Sequence, residues 1–355
     1  MKALYCTSDK ISMDSGGGAA TVNELEALRS VSDDVFVLSR DNINPELFKQ
    51  SPESPFLWDY FALQQVKDKH FDLAHFYSWT FTQTVSWLKA HGTKVSYMIA
   101  AHDRKISVDE FHQLGMEYPY HHISDDKLFE IYSEGYRLAD VVLSQSTAGA
   151  NFLKSIGCKN VKVVPGGIIW PKEVKPIPEK FRVGYTGAYG PDKGVRYLIE
   201  TWSLLNYSDA ELVLSGMDTK MLEPFVRTFA KQGNFILPGR VANVADFYNG
   251  ISVYVQPSVT EGFGLEVPEA MSYGRPVIVT KGVGAKDCVT DSEQGFVVPI
   301  RSPEAIAEKI EWLRKNPEKI VEMGQRARRK ARKYTWNRVR QMYARVFLKL
   351  GGKQW

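Results

Sequence analysis

Cysteine is scarce: the 355-residue chain has three, Cys6, Cys158 and Cys288, far apart and odd in number. That excludes a disulfide framework, and reduced, buried thiols of a cytosolic protein are expected. No tight pattern of Cys and His suits a metal. His112, His121 and His122 are too loosely arranged for zinc, and without an Asp-x-Asp no metal held that way is expected. No apolar run approaches the length that spans a bilayer, and residues 1–6 are too short for a signal peptide. A dehydrogenase or epimerase would need a Gly-x-Gly-x-x-Gly fingerprint, or a Tyr-x-x-x-Lys pair beside one, and no such fingerprint is present. Acid is missing from the end of the chain. From Arg326 onward there are seven Arg, four Lys and no carboxylate, which leaves the rest at −7 against a net +4.

What is there fits two domains of ordinary size. The chain is 44% hydrophobic and 24% charged, enough to bury two cores within a soluble surface. Short apolar runs alternate with helical patterns throughout, the mark of parallel, doubly wound sheets. Residues 3–6, 35–38, 73–76, 94–100, 141–144 and 161–164 read as strands of a first domain. Gly16, Gly17 and Gly18 form a loop after the first of them, ahead of a helix over 19–28. Residues 104–126 are polar and weakly patterned, and read as a mobile loop or an acceptor-binding element. Prolines 165, 171, 176 and 178 mark a linker. Strands at 181–186, 211–214, 235–237, 251–255 and 277–279 then alternate with helices at 195–205, 221–231 and 244–248. The expected domains are 1–169, 170–335, and a final helix over 336–355 packing back on the first. Trp336, Val339, Tyr343, Val346 and Leu350 make that helix's apolar stripe. The preceding basic cluster at 326–333 can attract anionic lipid or a polyanionic acceptor; no nucleic-acid motif is present, and none is expected as a partner.

The most informative stretch is 257–280, PSVTEGFGLEVPEAMSYGRPVIVT. It reads as a loop with glycines, a helix beginning at Pro268, a stop at Gly274 and Pro276, and a buried strand. Glycines let the backbone approach an anion, while Glu261 and Glu269 can accept hydrogen bonds from sugar or ribose hydroxyls. A diphosphate loop flanked by two hydroxyl-binding carboxylates fits a nucleotide sugar.

The same stretch resembles the Glu-x7-Glu signature of the family 4 retaining glycosyltransferases, which have the GT-B fold. The likeness covers most of the chain and is strongest over 181–300. It implies two Rossmann-like domains facing an interdomain cleft. It implies a nucleoside-diphosphate sugar as co-substrate, with no further cofactor, and a sugar, lipid-linked or protein/glycan acceptor. Carried over residue by residue, Glu261 contacts the donor sugar and Glu269 the ribose. The amides of Gly262, Phe263, Gly264 and Leu265 reach the sugar and diphosphate. Residues 187–194, GAYGPDKG, resemble the family's Gly-Arg-Leu-x-x-x-Lys-Gly loop, so Gly187 and Lys193 fall at the diphosphate. The family's arginine is Ala188 here, and Arg196, Arg240 or a group of the first domain is expected to substitute. Gly216, Arg240 and Val241 match the wall that meets the base, Gly17 and Gly18 the glycines near the donor phosphate or acceptor. His102, at a strand's carboxyl end, matches a histidine that faces the sugar. The implied catalytic set is His102, Glu261 and Lys193. The alternative is a nucleotide-sugar or glycan-binding protein of the same fold with little or no transferase activity. The expected location is the cytoplasm, with peripheral contact at the membrane.

Overall fold

The computed structural model describes residues 1–13, 15–42, 55–77, 81–100, 104–119, 125–216, 228 and 234–352. The elements begin β1 (Lys2–Thr7), α1 (Gly16–Arg29), β2 (Asp34–Leu38), α2 (Pro55–Val66), β3 (Leu73–Tyr77), α3 (Thr82–Ala90) and β4 (Lys94–Ile99). There follow α4 (Arg104–Gln113), α5 (Asp126–Leu138), β5 (Val141–Ser144), α6 (Thr147–Ser155) and β6 (Val161–Val163). After the proline-rich stretch come β7 (Arg182–Thr186), α7 (Val195–Leu205), β8 (Glu211–Ser215), β9 (Phe235–Gly239), α8 (Val244–Gly250) and β10 (Val253–Gln256). The chain closes with α9 (Glu266–Ser272), β11 (Val277–Thr280), β12 (Gly295–Val298), α10 (Pro303–Lys315), α11 (Pro317–Ala331) and α12 (Trp336–Leu350). The helix expected at 221–231 lies outside the described residues.

Two compact units result. The first comprises Met1–Ala101, Tyr120–Gly167 and Trp336–Trp355; the second comprises His102–Pro119 and Ile168–Thr335. Each holds a six-stranded sheet, ordered β2-β1-β3-β4-β5-β6 in the first and β12-β11-β10-β7-β8-β9 in the second. Every strand pairing is parallel. Parallel strands are covered on both faces, which is why they read as near-continuous apolar runs. In the first unit Leu4, Cys6, Phe76 and Tyr97 face one layer, and Ala3, Tyr5, Leu73 and Met98 the other. In the second, Val183, Tyr185, Val253 and Val255 face one side, and Tyr254, Val277 and Val279 the opposite side. This is the GT-B fold.

Two features depart from the sequence reading. The helix α1 starts at Gly16, so Gly17 and Gly18 lie in its first turn, not in a loop; Ser15 caps it by accepting from the Gly18 amide at 3.0 Å. Residues 104–113 are helical, and 102–119 group with the second unit, not with a domain 1–169. The cause is an ion-pair cluster: Glu110 is fully buried and bound by Arg196 and Arg301 of the second unit. The final helix α12 groups with the first unit, where Val339, Tyr343, Val346 and Phe347 pack with Leu25 and Leu28 of α1.

Candidate active site

Ligands of doubly wound sheets bind beyond the carboxyl ends of the strands, where the strand order reverses. In the second unit that point lies between β7 and β10. Two loops leave it, 187–194 after β7 and 257–265 after β10. They touch: a Cβ on Gly194, whose φ is +66°, would lie 2.2 Å from the Pro257 carbonyl oxygen. Only glycine permits both the angle and the approach. The Val259 amide donates to the Asp192 carbonyl at 2.8 Å. The buried Tyr185 hydroxyl donates to the Ala188 carbonyl at 2.5 Å, pinning the first loop from below.

This framework brings Lys193 onto Glu261, with Nζ to Oε2 at 2.5 Å and side chains 25% and 19% exposed. Burial pulls the Lys193 ammonium down. Glu261 and then Asp192 outweigh it, and the pKa ends above the ordinary lysine value. From Glu261 the chain crosses Gly262, Phe263, Gly264 and Leu265 into α9. The Phe263 ring is a core side chain, packed with Val267 and Val283, so it anchors the loop. Gly264 turns the chain at φ +89°. Among the described residues, nothing accepts from the amides of Gly262, Phe263, Gly264 or Leu265. Donors without a protein partner just ahead of a helix start can serve water or an anion.

The helix α9 adds Glu266 and Glu269, both half-buried. Burial, then the charges of Glu261 and Glu269, push Glu266 up to about 7. Burial also pushes Glu269 up to about 7, against the pull of a hydrogen bond from the Tyr248 hydroxyl at 2.9 Å. Sequence reading missed Glu266. Its spacing from Glu269, one helical turn, was visible, but the helix was expected to start at Pro268 and it starts at Glu266. A Cβ on Gly187 would lie 3.8 Å from Glu266 Oε1, which places this third carboxylate beside the first loop.

The strand ends are joined to one another. The Gly187 amide donates to the Ser215 carbonyl and the Gly216 amide to the Gly239 carbonyl, each at 3.0 Å. Arg240 and Val241 follow Gly239, and Val241 packs on the same core as Phe263 and Leu265. Gly187, Lys193, Gly216, Arg240, Val241, the 261–265 loop and Glu269 thus lie around neighbouring strand ends of one unit. Gly17 and Gly18 belong to the first unit. His102 lies outside the described residues. Arg196 is taken by Glu110, Gln113 and the Tyr197 hydroxyl, so it does not stand free to replace the arginine missing at Ala188.

Residues 169–330 match the family described as "Glycosyl transferases group 1". A capsular polysaccharide biosynthesis glycosyltransferase, CapM, of Staphylococcus aureus is 32% identical over 185 residues, 49% of this chain and 48% of that protein. A trehalose synthase of Pyrococcus horikoshii is 30% identical over 190 residues, 49% of this chain and 45% of that protein. The chain therefore spans about half the length of the curated relatives it matches. Among solved structures, a sucrose-phosphate synthase from Thermosynechococcus elongatus superposes with TM-score 0.79 at 18% identity, covering 99% of this chain and 100% of that one. Anabaena HepE in complex with UDP and glucose gives TM-score 0.72 at 16% identity, covering 98% and 100%.

Proposed function

We propose, from the match of residues 169–330 to the glycosyl transferases group 1 family, that the chain is a retaining hexosyltransferase. It moves a sugar from a nucleoside diphosphate to an acceptor hydroxyl, a sugar, lipid-linked or glycan group. The observation that carries this reading is the run of four amides between Glu261 and Glu269 that have no acceptor among the described residues. N–H donors without an acceptor fit the oxygens of a diphosphate, and the carboxylates on either side fit hydroxyls. Glu261 accepts from the sugar and Glu269 from the ribose. Lys193, already cationic and within reach of Glu261, stabilises the charge that grows on the departing diphosphate. Positive charge grows on the sugar as the bond to the leaving group lengthens, and rate then comes from placement and fixed electrostatics. HepE, of the same fold, was solved with UDP and glucose, which favours a UDP-sugar as the first donor to try. His102, by the family resemblance, faces the sugar in this scheme, and loss of transfer with donor binding retained in His102→Ala tests that role.

A thermal-shift screen with UDP-, GDP- and ADP-sugars tests donor binding, and NMR of the anomeric proton in the product tests retention. Stabilisation by none of the three would refute the reading. The reading of a binding protein without turnover has one observation in its favour: Ala188 supplies no charge, and Arg196 is held by Glu110. Donor binding with neither hydrolysis nor transfer across acceptors would favour it.

The reading includes peripheral contact with anionic lipid through 326–333, where Arg326, Arg329, Arg332 and Lys333 are exposed. No described helix is long and apolar enough to cross a membrane. Salt-sensitive flotation with phosphatidylglycerol vesicles is expected, and none with phosphatidylcholine alone.

A further inference from the structure

The helix α4 comes from the first half of the sequence yet packs within the second unit. Its inward side chains are Arg104, Ser107, Glu110 and Phe111, mostly polar. A buried carboxylate is costly unless its oxygens are paired. Both oxygens of Glu110 are. Oε2 accepts from Arg196 Nη2 at 2.8 Å and from the Tyr197 hydroxyl at 3.4 Å, and Oε1 accepts from Arg301 Nε at 2.5 Å. Gln113, nearly one turn on, accepts from the same Arg196 nitrogen at 3.0 Å. Arg301 holds its end of the pair from a left-handed backbone, φ +56°, a conformation unfavourable for any residue with a Cβ.

The same face of α4 reaches the 3₁₀ turn Pro191–Lys193. Ser107 Oγ lies 3.5 Å from Asp192 Oδ2, and the Phe111 ring lies 3.9 Å from where a Cβ on Gly190 would sit. The Asp192 carbonyl in turn holds the Val259 amide, two residues before Glu261. A continuous set of contacts therefore runs from Glu110 to the turn that carries Lys193.

We propose that Glu110 is a positioning residue: by drawing Arg196 and Arg301 together it fixes α4 against the Pro191–Lys193 turn and sets where Lys193 meets the donor diphosphate. The ligand's identity rests on the function proposed above; the clamp itself does not. Two arginines near the phosphate loop thereby serve its architecture and not the phosphate.

Hydrogen exchange of the full chain, without ligand, tests the clamp. In Glu110→Gln the amides of 187–194 should exchange about tenfold faster, while those of β10, β11 and the first unit stay unchanged. Arg301→Gly is the second variant, because glycine keeps the left-handed backbone while the side chain that pairs with Glu110 is lost. It should show the same localised loss even if Glu110→Gln does not fold. Unchanged exchange of 187–194 in Arg301→Gly would overturn the proposal. In parallel, the dissociation constant of UDP, GDP or ADP, whichever binds the unaltered protein, should rise about tenfold in Arg301→Gly, and Glu110→Asp should recover part of the affinity that Glu110→Gln loses. Equal affinity in Arg301→Gly and the unaltered protein would also overturn it. If no nucleotide binds the unaltered protein, the proposed function fails and the exchange result still decides the clamp.

Discussion

Two polar clusters, one in each unit, show what separates a structural network from a site. In the first unit Glu24 and His75 are fully buried, 3.1 Å apart. Tyr5 and Tyr343 donate to the same carboxylate at 3.3 and 3.0 Å, and Ser96 meets the other ring nitrogen at 2.8 Å. Every polar atom there has a partner, and four elements (α1, β1, β3 and α12) converge on one carboxylate. In the second unit, Lys193 and Glu261 are also paired, but both reach solvent, the Glu266 carboxylate interacts with both, and four amides have no acceptor among the described residues. A closed network ties chain segments together. An open one has capacity left for a ligand.

The comparison breaks if the two clusters respond alike to substitution. The largest effect expected is on folding. Glu24→Ala should cost about 3–5 kcal/mol in urea unfolding, because it strands partners in a dry interior, while donor affinity in the protein that remains folded stays unchanged. Lys193→Ala should do the opposite. Turnover should fall about 10²- to 10³-fold, with a smaller shift of the urea midpoint than in Glu24→Ala, since the side chains of this pair keep 25% and 19% of their surface in solvent where the remaining carboxylate can be hydrated. Glu261→Ala should resemble it, lowering turnover more than binding.

Smaller effects sharpen the second cluster. Glu269→Ala should weaken nucleotide binding about tenfold or more in a titration, through loss of a charged acceptor for the ribose. Glu269 titrates near 7 and must be ionised to accept two hydroxyl protons. Binding should therefore strengthen as pH rises through about 7 and weaken below it. Glu266 titrates in the same range, so the profile is best measured in Glu266→Gln. Tyr248→Phe should have the smallest effect. It removes the hydrogen bond that holds the Glu269 pKa down, so the midpoint of the binding profile should move upward, with affinity at pH 9 changed only about two- to threefold. A midpoint that stays put would mean that Glu269 is not the acceptor.

Much of this was legible in the sequence, for physical reasons that also explain the misses. Buried parallel strands must be apolar on both faces, so runs such as Val141–Ser144 and Val277–Thr280 declare themselves. The Glu261 to Glu269 loop stands out chiefly through its likeness to the Glu-x7-Glu signature, since glycines and acids at a strand's end are common by themselves, and the structure adds amides that have no partner among the described residues. Residues 104–126 read as a mobile loop or an acceptor-binding element because the buried face of α4 is built around Glu110 and two distant arginines. Hydrophobic periodicity carries no signal where a helix is anchored by charge, and arginines 86 and 191 positions away are not a local pattern. Glu266 was passed over for a related reason. Pro268 looked like a helix's first residue but is the third, and the two preceding residues were assigned to the loop. Residues 16–18 read as a loop because glycine disfavours a helix interior, although Ser15 carries a cap signal and the helix begins at Gly16.

The central claim is that the amides of residues 262–265 take the oxygens of a nucleoside diphosphate. Backbone amide NMR or hydrogen exchange on the full chain, with and without saturating UDP-glucose and then GDP- and ADP-sugars, measures this directly. The account predicts that one donor shifts or protects Gly262, Phe263, Gly264 and Leu265 together with the Lys193 turn. A donor that binds and leaves those four amides untouched would contradict it.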